Sequence, residues 1–158
     1  MSDPDEKIVF IADNMLGSLA RWLRMIGYDC RYEKELSDDD MIKIALEEKR
    51  MILTRDKNLA DRGKGLYVNS TSLDDQLTEV KTAFNINFHE DSMRCSICNG
   101  RLFEVKAEDV KEQIPEKSLQ QATSFWKCDG CQKIYWNGTH WNGIINRFKR
   151  LKLMEDKQ

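Results

Sequence analysis

Four of the five cysteines fall into two C-x-x-C pairs, Cys95-Ser-Ile-Cys98 and Cys128-Asp-Gly-Cys131. The two residues between each pair of thiolates fold into a tight knuckle that aims both sulfurs at one ion, and two pairs close a tetrahedron that prefers zinc or iron to hard cations. A closed four-thiolate set has no open position for a substrate, so its metal, expected to be Zn²⁺, folds a module and does not catalyse. Gly100 and Gly130 are available for the two knuckle turns. The competing reading is a redox C-x-x-C, which occurs as a single pair at the start of a helix; two matched pairs argue against it. The 29 residues between Cys98 and Cys128 read as a lengthened loop. Cys30 reads as a small buried side chain.

The second group is acidic. Asp13 closes the apolar run at residues 8–12, Asp38 opens a helix, Asp56 follows the run at residues 51–54, and Asp61 stands five residues further on. The carboxyl ends of parallel strands share one rim where ligands bind, so Asp13 and Asp56 are expected to converge there. Carboxylates that hold Mg²⁺ or Mn²⁺ are a general device for phosphodiester cleavage. Asp at a strand end or helix start also serves as a turn or cap residue, and spacing alone leaves both readings open.

The elements that must position these groups follow from periodicity. Short β-branched runs at 8–12 and 51–54 predict buried parallel strands, with a more weakly signalled strand at 28–33 and a fourth at 66–68. Leu16, Leu19, Ala20, Leu23 and Ile26 mark one face of a helix that Gly27 ends, with Arg21 and Arg24 expected largely off that face. Ser37 and Asp40 form a capping box for a helix whose core face is Met41, Ile44, Ala45 and Glu48. A closing helix spans residues 72–84. Strand and helix alternate, which predicts a three-layer α/β domain with a parallel sheet. Residues 85–93 break the rhythm as a linker, giving domains at 1–90 and 91–158. Residues 144–154 predict an amphipathic basic helix.

Hydrophobic residues make up 41% of the 158 and charged residues 33%, an ordinary soluble composition. No apolar stretch approaches the roughly 20 residues of a membrane span. The first seven residues are acidic and polar, unlike a secretory signal, so the chain is expected in the cytoplasm, where thiols stay reduced. Residues 1–92 carry 13 Lys/Arg against 19 Asp/Glu, and residues 93–158 carry 12 against 8. A basic module beside an acidic one suits a polyanion partner, although unremarkable surface charge gives the same count.

Several of these segments together resemble a known family. Phe10-Ile-Ala-Asp13 continuing through Leu16-Gly-Ser-Leu-Ala-Arg-Trp-Leu-Arg-Met-Ile-Gly27, then Ser37-Asp38, Ile52-Leu-Thr-Arg-Asp56, Arg94-Cys-Ser-Ile-Cys-Asn-Gly100, Phe125-Trp-Lys-Cys-Asp-Gly-Cys131 and Tyr135-Trp-Asn-Gly-Thr-His-Trp141, are similar to the PIN-like RNase family of the Mut-seven C-terminal type. The resemblance spans most of the chain and implies a PIN-like domain followed by a small four-cysteine zinc ribbon. It also implies hydrolysis of RNA with Mg²⁺ or Mn²⁺ held by Asp13, Asp38 and Asp56, with Asp39 and Asp40 as neighbours of Asp38. PIN domains also carry an acid on their early helices. The helix predicted over 15–26 has none, and Asp61 is the candidate to replace it.

RNA as substrate gives the basic and aromatic residues a role. Arg21, Arg24 and Arg55 are expected to meet the RNA backbone near the acidic rim. Trp136, His140 and Trp141 are expected either to build the ribbon's small core or to stack on bases, with Lys133, Arg147, Lys149 and Arg150 on phosphates. Two alternatives remain at this level. One is a non-catalytic adaptor that binds RNA or a ribonucleoprotein; the other is a protein-interaction module that docks through its C-terminal helix.

Overall fold

The computed structural model describes residues 7–155. Residues 1–6, which carry most of the acidic N-terminal stretch, and residues 156–158 lie outside the described part. Four short strands, β1 (Phe10–Ala12), β2 (Cys30–Tyr32), β3 (Met51–Thr54) and β4 (Leu66–Tyr67), form a wholly parallel sheet in the order β2-β1-β3-β4. Their connections are α1 (Gly17–Ile26), α2 (Asp38–Glu48) and α3 (Lys57–Gly63), and α4 (Leu73–Phe84) follows β4. This is the α/β architecture the strand and helix alternation predicts.

Side-chain alternation along β1 separates the two faces of the sheet. Phe10 and Ala12 enter a core with Leu19, Leu23, Leu77 and Val80 from α1 and α4, whereas Ile11 packs with Met41, Ala45, Ile52 and Leu59 from α2, β3 and α3. Local chemistry sets the helix ends. Ser37 caps α2 by accepting the Asp40 amide at 3.1 Å, and Ser72 caps α4 by accepting the Asp75 amide at 3.2 Å. Gly27 ends α1 at φ 121°, a conformation that a side chain would strain. Glu48 does not face the core; it is exposed and pairs with Arg31 and Arg50.

A second, antiparallel sheet of β5 (Leu102–Val105), β6 (Phe125–Cys128) and β7 (Ile134–Trp136) carries the cysteine module. The long insertion between the cysteine pairs is not a plain loop. It supplies β5 and two short helices, α5 (Ala107–Val110) and α6 (Glu116–Gln121), around a small core of Val110, Ile114 and Phe125.

The last helix, α7 (Thr139–Arg150), begins five residues before the sequence predicts and folds back on the α/β unit. Phe148 and Leu153 are fully buried in the same core as Phe10 and Leu23. Phe148 meets Trp22 edge-on at 5.9 Å and Phe88 at 4.8 Å. Its apolar stripe is thus spent on α1, and Asp74 at the start of α4 holds Arg147 and Arg150 at 3.0 and 2.8 Å. Truncating so large a buried ring leaves a cavity, so Phe148→Ala is expected to lower stability in urea unfolding by about 3–5 kcal/mol. A loss below about 1 kcal/mol would mean that α7 does not dock as described.

Candidate functional site

The acidic rim follows from sheet topology. The strand order reverses at β1, with β2 on one side and β3 on the other, and such a switch point opens a crevice at the carboxyl ends of the strands. Asp13 follows β1 there, Asp38 begins the helix after β2, and Asp56 follows β3.

Asp13 is buried yet well satisfied: Oδ1 accepts the Met15 amide at 2.9 Å, and Oδ2 accepts the Thr54 hydroxyl at 2.5 Å and the Arg55 amide at 3.0 Å. A carboxylate offers about four lone-pair sites, so one remains on Oδ1. Thr54 is the pivot. Its fully buried hydroxyl donates to Asp13 and accepts the Asp56 amide at 2.9 Å, joining the two acids through one side chain. Asp56 uses Oδ1 to cap α3, accepting the amides of Asn58 and Leu59 at 2.9 and 3.3 Å, and so leaves Oδ2 directed elsewhere. It is therefore both a cap residue and a rim carboxylate.

The other acids sit further out. Asp38 is half-exposed on the first turn of α2, its neighbour Asp39 pairs with Arg62 of α3, and Asp61 is exposed on α3. Asp61 lies about 7 Å along the helix axis from Asp56. Among the described residues, the cysteine quartet is the group of three or more ligand-bearing side chains whose donor atoms all lie within 4.8 Å of one another; the carboxylates are spread more widely.

In the ribbon, Cys95, Cys98, Cys128 and Cys131 converge, with Sγ–Sγ distances of 3.6 Å for Cys95–Cys131 and 3.3 Å for Cys98–Cys128. Zinc–thiolate bonds of about 2.3 Å at tetrahedral angles place sulfurs roughly 3.8 Å apart, so the donor set fits such an ion. The turn residues differ from expectation. Asn99 and Gln132, which follow the second cysteine of each pair, take the left-handed conformation at φ 69° and 68°. Gly100 and Gly130 serve close approach, since a Cβ on Gly100 would lie 2.7 Å from Cys128 Sγ and one on Gly130 would lie 3.2 Å from Cys98 Sγ.

Burial pushes the Cys95 thiol up, but the Tyr135 hydroxyl at 3.0 Å and the amides of Cys98 and Ile97 outweigh it and bring it down to about 7. Burial and the adjacent sulfur raise the Tyr135 phenol, which keeps its proton to donate. Burial likewise pushes the Cys30 thiol up to about 12, and Cys30 stands apart from the quartet as an inert core residue.

Arg24 is the main departure from expectation. It is 5% exposed, not on an open helix face; Nε donates to the Cys30 carbonyl at 2.8 Å, and one terminal nitrogen donates to the carbonyls of Ser96 at 2.9 Å and Ile97 at 3.4 Å. Standing four residues after Ala20, it flanks the apolar stripe by only about 40°, which brings it under the first knuckle. Asn99 completes the joint. Its side chain accepts the Cys30 amide at 3.1 Å and donates to Asp29 at 2.7 Å, while Asp29 holds Arg50 at 2.8 Å.

The remaining expected RNA contacts divide by exposure. Arg21, Lys133 and His140 are exposed, and Arg55 is half-buried with a hydrogen bond to the Ser70 carbonyl at 2.8 Å. Trp141 stacks on Trp126 at 5.7 Å, and Trp136 packs on the small ribbon core, so both tryptophans have structural duties. Lys149 is half-buried on α7. Sequence reading passed over Thr54, Tyr135 and Asn99. Asn99 adjoins Cys98 and Thr54 stands two residues before Asp56, whereas Tyr135, four residues past Cys131 among the ribbon aromatics, carries no such local hint.

A parallel α/β sheet joined to an antiparallel four-cysteine ribbon defines the class of the fold. The family model of the Mut7-C RNAse domain matches residues 8–148, which takes in both sheets and most of α7, and the chain belongs to that family. No curated protein and no solved structure gives a significant match.

Because Asn99 and the Ser96 carbonyl bind the α/β unit directly, metal removal should be felt outside the ribbon. Chelation is expected to lower the thermal midpoint of the whole chain and to speed hydrogen exchange at the Cys30 amide. Faster exchange confined to residues 94–136 would contradict the coupling.

Proposed function

We propose that this protein is a metal-dependent ribonuclease in which Asp13, Asp38 and Asp56 hold Mg²⁺ or Mn²⁺ at the carboxyl rim of the parallel sheet, with the zinc ribbon assisting RNA binding. The observation that carries the reading is the Asp13–Thr54–Asp56 linkage at the switch point of a chain in an RNase family. Bound at this rim, the divalent ion would activate a water and stabilise charge developing on phosphorus. The chain's own contribution is orientation. Three donors fix the Asp13 carboxylate and two amides fix that of Asp56, which leaves Asp13 Oδ1 and Asp56 Oδ2 with spare capacity. Asp38, on the first turn of α2, would complete the set, and Asp61 is a more remote fourth acid.

Arg21, on the rim-side half of α1, and Arg55 suit contact with RNA phosphates. Arg24 does not belong with them, since its donors are committed within the core. On the ribbon, Lys133 and His140 are the accessible members, with Trp136 and Trp141 offering partial faces. Arg147 and Arg150 would have to exchange Asp74 for phosphate. Residues 1–90 form the nuclease unit in this reading, and residues 91–158 the ribbon and its helix. Five cysteines outside any disulfide, four of them clustered for a metal, suit the reducing cytoplasm. Among the described residues no helix is long and apolar enough to cross a membrane.

The absence of any acid in α1 favours a second reading, an RNA- or ribonucleoprotein-binding adaptor. Two substitutions separate them. Asp13→Asn is expected to reduce cleavage of single-stranded RNA in Mg²⁺ or Mn²⁺ to background while RNA binding persists; cleavage at the wild-type rate would refute the assignment. Thr54→Val is expected to lower activity about 10–100-fold with recovery in Thr54→Ser, as for a residue that orients metal ligands. Equal activity of the valine and serine variants would count against the linkage.

A further inference from the structure

At the amino end of β1, opposite the acidic rim, a cleft of about 580 Å³ opens between the α/β unit and the ribbon. Its volume is within the roughly 300–1,000 Å³ of small-molecule sites. Lys7, Arg94 and Arg101 bring three cations to its walls, Asp29 and Asp91 two anions, and Phe103 an aromatic ring. These charges are not equivalent. Asp29 is already neutralised by Arg50 at 2.8 Å and bonded by Asn99 at 2.7 Å, so Asp91 is the one acid in the cleft not offset in this way.

The cations, by contrast, are under-used. Lys7 Nζ is buried without a hydrogen-bond partner, 5.9 Å from the centre of the Tyr28 ring; desolvation lowers its pKa, and the nearby Asp91 charge offsets that only in part. A buried amine in that state is costly unless an acceptor reaches it. Among the described residues the Arg101 guanidinium has no hydrogen bond or ion pair, and Arg94 commits its Nε to Asn99 while lying 3.8 Å from Asp29. Phe103 is 55% exposed, one of four large apolar side chains left so open among the described residues, and the two-residue period of β5 places it on the same side as Arg101.

We propose that this cleft is a nucleotide-binding site, separate from the acidic rim, in which Lys7, Arg94 and Arg101 take the phosphate and Phe103 stacks on the base. Guanidinium and ammonium groups around an exposed ring match the two ends of a nucleotide, and the Asp91 carboxylate is an acceptor for a ribose hydroxyl. Arg101 immediately precedes β5 and Phe103 stands two residues further on the same side, so a single ligand can meet both. The nucleotide is either free or one unit of an RNA chain. The proposal rests on the ribonuclease reading for RNA as the chain to test, and on the cleft's own residues for the rest.

The test uses the full zinc-loaded chain without added Mg²⁺ or Mn²⁺. Affinities for AMP, adenosine and a short oligo(A) RNA are measured for wild type, Arg101→Ala, Phe103→Ala and Lys7→Met; Arg94 is left intact because it adjoins Cys95. At least one of AMP and oligo(A) is expected to lose about tenfold or more in affinity in the Arg101 and Phe103 variants, with adenosine bound more weakly than AMP. Loss for AMP identifies a free-nucleotide site, and loss for oligo(A) alone identifies a strand site. Affinities within about twofold of wild type for both ligands in every variant would overturn the proposal. Amide shifts in the wild-type protein decide the case if a variant unfolds: shifts at Lys7, Arg101 and Phe103 support the cleft, and shifts confined elsewhere refute it. Asp13→Asn is expected to bind both ligands as wild type does. If that variant still cleaves RNA, the ribonuclease reading fails and the cleft stands; if it is inactive while the cleft variants bind normally, the cleft alone fails.

Discussion

Arg24 reaches from the interior of the α/β unit into the first cysteine knuckle, and the placement of the whole ribbon depends on that buried guanidinium. It binds the Cys30 carbonyl on one side and the Ser96 and Ile97 carbonyls on the other. A buried cation persists only where acceptors surround it, so the knuckle must be present for the helix to be comfortable, and the helix must be present for the knuckle to be held. Asn99 adds a second strut to Cys30 and Asp29. A metal that closes the four cysteines therefore stabilises more than a small module. It would preserve the carbonyl positions that complete the core of the larger unit.

The same economy runs through the acidic rim. One buried hydroxyl, Thr54, connects the carboxylate that follows β1 with the amide of the one that follows β3. Neither acid reaches that arrangement through local preference alone. Asp56 is placed by its role as the cap of α3, Asp13 by three donors from two strand ends, and the parallel pairing of β1 with β3 brings those ends together. The C-terminal helix contributes at a distance. By burying Phe148 against Trp22, it fixes the outer surface of α1, the helix that starts beside Asp13.

Much of this was legible from residue types. The β-branched runs, the Ser37 cap, the terminating Gly27 and the paired cysteines act through local chemistry, and local chemistry is what a single sequence carries. What was not legible depends on tertiary partners. Arg24 looks like a surface residue until the knuckle arrives beside it, and Glu48 looks like a fourth core position until Arg31 and Arg50 claim it from outside. The knuckle turns fell to Asn99 and Gln132 because the glycines were needed where sulfur atoms approach the backbone. The amphipathic C-terminal helix announced an apolar face but not its target, which is the same core as β1.

The central functional claim is that Asp13 and Asp56 share a divalent ion at the rim. Its most direct measurement is the anomalous scattering of Mn²⁺ in crystals of the zinc-loaded chain, recorded with a non-cleavable RNA present. The expected result is a manganese peak about 2 Å from a carboxylate oxygen of Asp13 and of Asp56, with Asp38 facing it directly or through water. Manganese peaks only at sites away from these carboxylates, in crystals where RNA lies against the rim, would contradict it.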